Sequence, residues 1–194
     1  SMTEVNKWNR ERNYPMLNMG IAINTGDVIV GNIGSEKRTK YGVCGSNVNL
    51  CGRIESYTTG GQVIISPTTR EKVPEELTVA QEFTVKPKGV DKPITLSRIT
   101  GIGAPYNIAY VPEEEVPLPL KTPEEVVFYT LDGKHTSDAP NKGQFIARSE
   151  RSAVLQTAVP LSVFDNISLM LDTKIFAKVI KADENGYTVK FTSK

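Results

Sequence analysis

Residues 41–55 read YGVCGSNVNLCGRIE, a short strand pattern followed at once by an amphipathic helix pattern. Ser46 and Asn47 are good N-cap residues, and the helix is predicted to run from there to about Tyr57. A Thr-Thr-Gly-Gly run then ends it. The apolar positions recur at helical spacing, which predicts that one side of the helix packs against other elements.

Strand patterns lie on both sides of this helix. Upstream, β-rich runs at 19–23 and 28–30 flank an Asn-Thr-Gly-Asp segment, which predicts a strand, a turn and a second strand. The glycine-containing stretch 31–35 is predicted to be a loop, followed by a short strand over 40–44. Downstream, the predicted elements are strands at 62–66, 78–86 and 94–100 and a short helix from Pro67 to Lys72. This alternation predicts a sheet covered by helices.

Asn49 and Arg53 are the candidate functional residues of the central helix. They are four positions apart, so their side chains stand one turn apart on a shared face. The guanidinium offers rigid donors that suit phosphate oxygens, including charge that develops during phosphoryl transfer, and the amide adds a neutral hydrogen-bonding group. On spacing alone, a surface arginine beside a helical asparagine is the simpler interpretation.

The composition excludes several classes of protein. The chain has 194 residues, 23 basic and 22 acidic, and no apolar run approaching the roughly 18–20 residues of a membrane span. A net charge of +1 gives no general attraction to nucleic acid, so no nucleic-acid partner is expected. Two cysteines, Cys44 and Cys51, are too few for a disulfide framework or a zinc site. Both are expected to be small buried residues of a protein in a reducing compartment. A cytoplasmic location follows, with any membrane tether lying upstream of the chain.

The sequence changes character in its second half. Residues 105–123 are rich in proline and glutamate, which predicts a linker. Residues 124–194 alternate apolar and polar side chains with a period of two, and Asp183–Gly186 ends in a hairpin-forming Asn-Gly pair. A small, mostly β barrel is predicted there. At the other end, residues 1–17 are predicted to be a polar lead-in, while the single histidine, His135, is expected in a surface turn.

An ordered series of motifs runs through residues 18–104. Met19–Arg38 carries a Thr-Gly turn and a Gly-Asn-Ile-Gly segment, and residues 41–55 add a tyrosine, a glycine and Val-Asn-x-x-x-Arg. The series continues through Gly-Gly-Gln-Val-Ile-Ile-Ser and Lys-Gly-Val to Gly101. In order and spacing it resembles the C-terminal half of a class III adenylate/guanylate cyclase catalytic domain. The resemblance implies an α+β fold, here a partial ferredoxin-like α/β sandwich.

The resemblance assigns roles to four residues. Asn49 is expected to be the transition-state asparagine that positions the ribose, and Arg53 the arginine that stabilises charge on the α-phosphate. Gly42 and Val43 fall where the family contacts the base. Adenylate cyclases often carry Asp or Thr at the position of Gly42, so this glycine departs from the pattern. The implied reaction converts a nucleoside triphosphate, with ATP expected before GTP, into a 3′,5′-cyclic monophosphate and pyrophosphate.

The resemblance also implies cofactors and a partner. Family members bind two divalent ions, Mg²⁺ or Mn²⁺, through aspartates upstream of the strand at Met19, and the residues before Met19 do not match those motifs. The metal ligands are therefore expected in a longer parent, and the chain alone is expected to be inactive. Family domains pair head to tail, so a homodimer is expected, with strand exchange between truncated copies. The alternative is a non-catalytic regulatory or dimerisation module with cyclase-like and PilZ-like folds.

The second half of the chain resembles a PilZ domain. Residues 143–157 follow the course of the Asp/Asn-x-Ser-x-x-Gly strand of that family, although Ser149 alone is kept, because Ala147 and Ser152 replace the other two residues. Residues 104–147 contain no arginine, whereas the family carries paired arginines upstream. A degenerate PilZ-like β-barrel that does not bind cyclic di-GMP is therefore expected.

Overall fold

The computed structural model describes residues 2–111, 115–132 and 135–193. The chain divides into two compact units, Ser1–Pro112 and Glu113–Lys194. The first combines helices with a sheet, and the described part of the second is built from strands. In the described part of the chain, no helix has both the length and the apolar character that crossing a membrane requires.

The first unit is built on a five-stranded sheet. Its elements, in chain order, are α1 (Met2–Glu11), β1 (Ile21–Ile23), β2 (Ile29–Ser35), β3 (Arg38–Cys44), α2 (Ser46–Glu55), β4 (Val63–Ile65), α3 (Pro67–Lys72), β5 (Leu77–Val85), β6 (Ile94–Ile102) and β7 (Ile108–Ala109). The strands lie in the order β1-β4-β6-β5, with β7 also paired to β6. β1 and β4 are parallel, and the other pairs are antiparallel. Ile54 of α2 is buried, as are Ile64, Ile65 and Leu96 of the sheet.

β2 and β3 form a separate two-stranded antiparallel ribbon. The prediction of a loop over 31–35 is wrong, because Ile29–Ser35 pairs along its whole length with Arg38–Cys44. The two strands predicted at 19–23 and 28–30 are both present, but they do not pair with each other, since β1 pairs with β4 and β2 pairs with β3. Gly34 explains the error over 31–35: its φ is +139°, and a Cβ atom there would collide with the carbonyl oxygen of Arg38. This glycine serves a tight hairpin turn rather than a loop.

The second unit contains a closed six-stranded barrel. Its elements are β8 (Leu118–Asp132), β9 (His135–Thr136), β10 (Asn141–Arg148), β11 (Ser152–Gln156), β12 (Asn166–Met170), β13 (Lys174–Asp183) and β14 (Gly186–Ser193). The order β10-β11-β14-β13-β12-β8 closes through pairing of β8 with β10, and β9 is added beside β8. Side chains that alternate along the strands fill the interior, among them Phe128, Phe145, Leu155, Ile167, Leu169, Val179 and Val189. The predicted β barrel is confirmed.

The proline-rich segment contains more regular structure than the sequence predicts. Within residues 105–123, the short strand β7 pairs with β6, and β8 begins at Leu118. Pro119 and Pro123 therefore lie in a strand. The β8–β10 register passes from Glu124 directly to Pro119, so Pro123 sits in an irregularity where no ladder partner requires its missing N–H.

Individual residues also depart from expectation. The lead-in contains α1, and Arg12 lies 4.4 Å above the ring of Trp8, which contacts Tyr14 at a centroid distance of 5.5 Å. Trp8 thus packs within its own segment. His135 is exposed as expected, but it belongs to the short strand β9 rather than to a turn.

Leu169 and Met170 offer a matched test of the barrel core. They are neighbours on β12, but Leu169 is fully buried and Met170 is 46% exposed. We expect Leu169→Ala to lower the free energy of unfolding by about 2–5 kcal/mol, because it removes apolar contacts and leaves a cavity. Met170→Ala should change it by about 0.5 kcal/mol or less. Urea titration of both variants measures the difference, and equal losses would contradict the assigned core.

Candidate functional site

Helix α2 carries the two residues that the sequence singles out. Asn49 and Arg53 lie one turn apart on it, and the same helix buries Ile54 completely. Asn49 is exposed and Arg53 is half-buried. Burial raises the pKa of Tyr57, just beyond the helix. The helix is thus anchored by its apolar residues and leaves the amide and the guanidinium accessible.

The start of α2 is fixed by side chains from a distant turn. Its N-cap is Gly45, with φ 139° and no side-chain cap, so the prediction of Ser46 or Asn47 as N-cap is wrong. Asn47 Nδ2 instead donates to the carbonyl oxygen of Asp27 at 3.0 Å, and Asn24 Nδ2 donates to the carbonyl oxygen of Asn47 at 3.0 Å. These bonds hold the first turn of the helix against the segment between β1 and β2.

A group of hydroxyls holds the same segment from its other side. Thr69 Oγ1 lies 3.0 Å from Thr25 Oγ1 and donates to the carbonyl oxygen of Ile23 at 3.2 Å. Ser66 caps α3 by accepting a hydrogen bond from the backbone N–H of Thr69 at 3.2 Å. Ser66 and Thr69 are both buried. The sequence analysis did not identify this group, although the Ser-Pro-Thr-Thr start of α3 is a recognisable capping signal.

The guanidinium of Arg53 lies against the turn between β5 and β6. In that turn Val90 N donates to the carbonyl oxygen of the buried Pro87 at 3.0 Å, and Gly89 has φ +70°. A Cβ atom on Gly89 would lie 2.9 Å from Arg53 Nη1 and 3.3 Å from Nη2. The backbone conformation therefore favours glycine at this position, and any other residue would also displace the end of the Arg53 side chain.

The two residues predicted to contact a base lie on the strand that leads into α2. Gly42 and Val43 are in β3, where Gly42 pairs with Gly31 and Val43 pairs with Val30. Val43 is exposed and Gly42 is half-buried. Since Gly45 alone separates β3 from α2, the strand and the helix place the four predicted site residues on adjoining elements.

The ligands of the divalent ions are expected in a longer parent, and that expectation stays a prediction. Among residues 2–111, 115–132 and 135–193, no three His, Cys, Asp or Glu side chains come together as a metal ion would require. Cys44 and Cys51 are free, and both are half-buried rather than buried as expected. Cys51 Sγ lies 3.5 Å from the carbonyl oxygen of Ala22. No metal ligand is assigned within this chain.

In the barrel, residues of the PilZ-like segment form hydrogen bonds and an ion pair with other residues of the same unit. Ser149 Oγ lies 2.8 Å from Ser152 Oγ, and Arg148 forms an ion pair with Glu124 at 2.9 Å. The carboxylate of Glu115 accepts the backbone N–H of residue 150 at 2.8 Å. The PilZ identity of the barrel stays a prediction.

Gly89→Ala tests the contact with Arg53. The positive φ alone should cost about 1 kcal/mol of unfolding free energy, and displacement of the guanidinium should add to that loss. We expect the loss to be smaller in an Arg53→Ala background, where only the backbone strain remains. Denaturant titration of the four proteins of this double-mutant cycle gives the coupling energy. An equal loss in both backgrounds would show that the contact contributes nothing.

This chain is similar to a known protein family and to a solved structure. A family model described as adenylate and guanylate cyclase catalytic domain matches residues 1–97. The crystal structure of the guanylyl cyclase Cya2 is 53% identical, with a TM-score of 0.53, and the match covers 57% of this chain and 56% of that chain. The chain thus spans about half the length of that protein. No curated protein matches the chain.

The family match covers the helices and strands that carry the candidate site residues. Residues 1–97 are half of the 194-residue chain and include α1, the β2–β3 ribbon, α2 and most of the sheet. The same stretch contains Gly42, Val43, Asn49 and Arg53. The chain belongs to the adenylate and guanylate cyclase catalytic domain family.

Proposed function

We propose that the intact protein containing this chain cyclises a purine nucleoside triphosphate to the 3′,5′-cyclic monophosphate and pyrophosphate. The observation that carries the proposal is the accessible pair Asn49 and Arg53, one turn apart on α2 of a cyclase-family domain. A guanidinium and an amide at this spacing can bind a phosphate oxygen and a ribose hydroxyl together. The family match supports this interpretation over a surface arginine without a role.

The proposed mechanism is one of positioning and charge stabilisation. The 3′-hydroxyl attacks the α-phosphate and releases its proton to solvent, the new P–O bond closes the ring, and the bond to pyrophosphate breaks. Asn49 orients the ribose, and Arg53 stabilises the negative charge that grows on the α-phosphate. The guanidinium of Arg53 lies beside Gly89, where the absence of a side chain leaves room for it.

We propose GTP as the preferred substrate. The similar solved structure is of a guanylyl cyclase, at 53% identity, which favours GTP over the ATP expected from the sequence. Gly42 supports the same choice, since it lacks the Asp or Thr side chain that adenylate cyclases often carry at this position. The divalent ions of the reaction are not assigned to residues of this chain.

We also propose that two copies of the chain associate. One face of the ribbon exposes three large apolar side chains, Val30, Tyr41 and Val43. Val30 is 53% exposed and Tyr41 is 76% exposed. An apolar surface of this kind on a cyclase-family domain fits a second copy of the same domain.

Alanine variants of Asn49 and Arg53 test the proposed mechanism. In the intact protein, we expect each to lower kcat for GTP by at least about 100-fold, since each removes stabilisation of the transition state. Glu55→Gln, which changes an exposed residue at the end of the same helix, should leave kcat unchanged. Product formation from GTP and from ATP is measured by chromatography. Equal rates in wild type and Arg53→Ala, or no product from the intact protein, would favour the non-catalytic alternative.

Association of the chain is tested with two tyrosine variants. We expect sedimentation of the wild-type chain to give a mass greater than that of a single copy at micromolar concentration. Tyr41→Asp should weaken this association at least about 10-fold by placing a charge on the apolar ribbon. Tyr106→Asp introduces the same charge at another exposed tyrosine and should have little effect. A wild-type monomer at high concentration would refute the proposal.

A further inference from the structure

The side chain of Asn24 connects the starts of two helices. Asn24 is half-buried and directly follows β1. Its Nδ2 donates to the carbonyl oxygen of Asn47 at 3.0 Å, and its Oδ1 accepts a hydrogen bond from Thr68 Oγ1 at 3.2 Å. Asn47 lies in the first turn of α2, and Thr68 lies in the first turn of α3. One amide group therefore joins both helices to the segment between β1 and β2.

The same segment fits closely around the side chain of Asn47. Asn47 Nδ2 donates to the carbonyl oxygen of Asp27 at 3.0 Å, and a Cβ atom on Gly26 would lie 2.3 Å from Asn47 Cγ. Gly26 does not have a positive φ, so the Asn47 side chain, and not backbone strain, opposes a larger residue there. Residues 24–27 thus provide two hydrogen bonds and a close fit that together hold Asn47.

The position of Asn47 bears on the two candidate catalytic residues unequally. Ile54 is fully buried and anchors the far end of α2, so a displaced first turn would pivot the helix about that residue. At a rise of 1.5 Å per residue, Asn49 lies about 7.5 Å along the helix from Ile54, and Arg53 lies about 1.5 Å from it. Loss of the hydrogen bonds at the first turn would therefore move Asn49 further than Arg53.

We propose that Asn24 is a positioning residue of the proposed cyclisation and that it holds Asn49 in place through Asn47. The inference rests on the proposed function and deepens it. Both ends of the Asn24 amide are engaged within the protein, since Nδ2 also lies 3.5 Å from Asn47 Oδ1. Asn24 therefore supports the site without touching the nucleotide. Misplacement of a reacting group by about 1 Å can lower a rate about 100-fold, so support of this kind affects catalysis.

Asn24→Ala and Asn6→Ala are a matched pair that tests this role in the intact protein. Each asparagine is half-buried, donates to a backbone carbonyl oxygen and accepts one hydrogen bond; Asn6 forms both bonds with Leu17, at 2.8 Å. Both variants should lower the melting temperature. Only Asn24→Ala should lower kcat for GTP at least about 10-fold, with KM changed less than about 2-fold, because a misplaced Asn49 weakens the transition state more than substrate binding.

Gly26→Ala tests the same role without removing a hydrogen-bonding group. Its methyl group would displace the Asn47 side chain, so we expect kcat to fall at least about 10-fold here as well. In an Asn49→Ala background, neither Asn24→Ala nor Gly26→Ala should change kcat more than about 2-fold, because the residue that they position is absent. Steady-state kinetics of the single and double variants measures this coupling.

The outcomes separate this inference from the proposed function. With an active wild type, an unchanged kcat in Asn24→Ala would overturn the inference and leave the proposed function standing. The same conclusion would follow from an equal fall of kcat in Asn6→Ala, or from equal effects of Asn24→Ala with and without Asn49. An intact wild-type protein that cyclises neither nucleotide would overturn both.

Discussion

The side chain of Asn47 determines where α2 begins, and the candidate site depends on that position. Its amide donates to the carbonyl oxygen of Asp27, while Asn24 donates to its backbone carbonyl oxygen. Gly45 supplies no capping side chain, so these two bonds hold the first turn of the helix. With that end fixed and Ile54 buried near the other, the helix that carries Asn49 and Arg53 has a defined position.

Much of this arrangement follows from patterns within a few residues. Helical spacing located α2, and alternation located the barrel strands, because both patterns record which face is buried. Contacts between residues that are far apart in the sequence leave no such pattern. Asn24 and Asn47 are 23 residues apart, and the close approach of Arg53 to Gly89 joins a helix to a turn two strands later.

Glycine was the residue whose meaning the sequence left most ambiguous. Gly34 adopts a positive φ in a hairpin, Gly89 makes room for a guanidinium, and Gly31 does neither. All three look alike in the sequence, and a local rule assigned the first and third to a loop. Proline was ambiguous in the same way, since Pro123 lies within a strand at a point where the register is irregular. Conformation and neighbours distinguish these cases, and both require coordinates.

The ribbon and the barrel differ in how their backbone amides are protected from solvent. Each of the six barrel strands has a hydrogen-bonded neighbour on both sides, whereas β2 and β3 of the described chain pair with one another alone. Amide protons in a ribbon of two strands escape to solvent by local opening, without disturbing the rest of the molecule. In heavy water, the amides that join β2 to β3 should therefore take up deuterium long before those of the barrel.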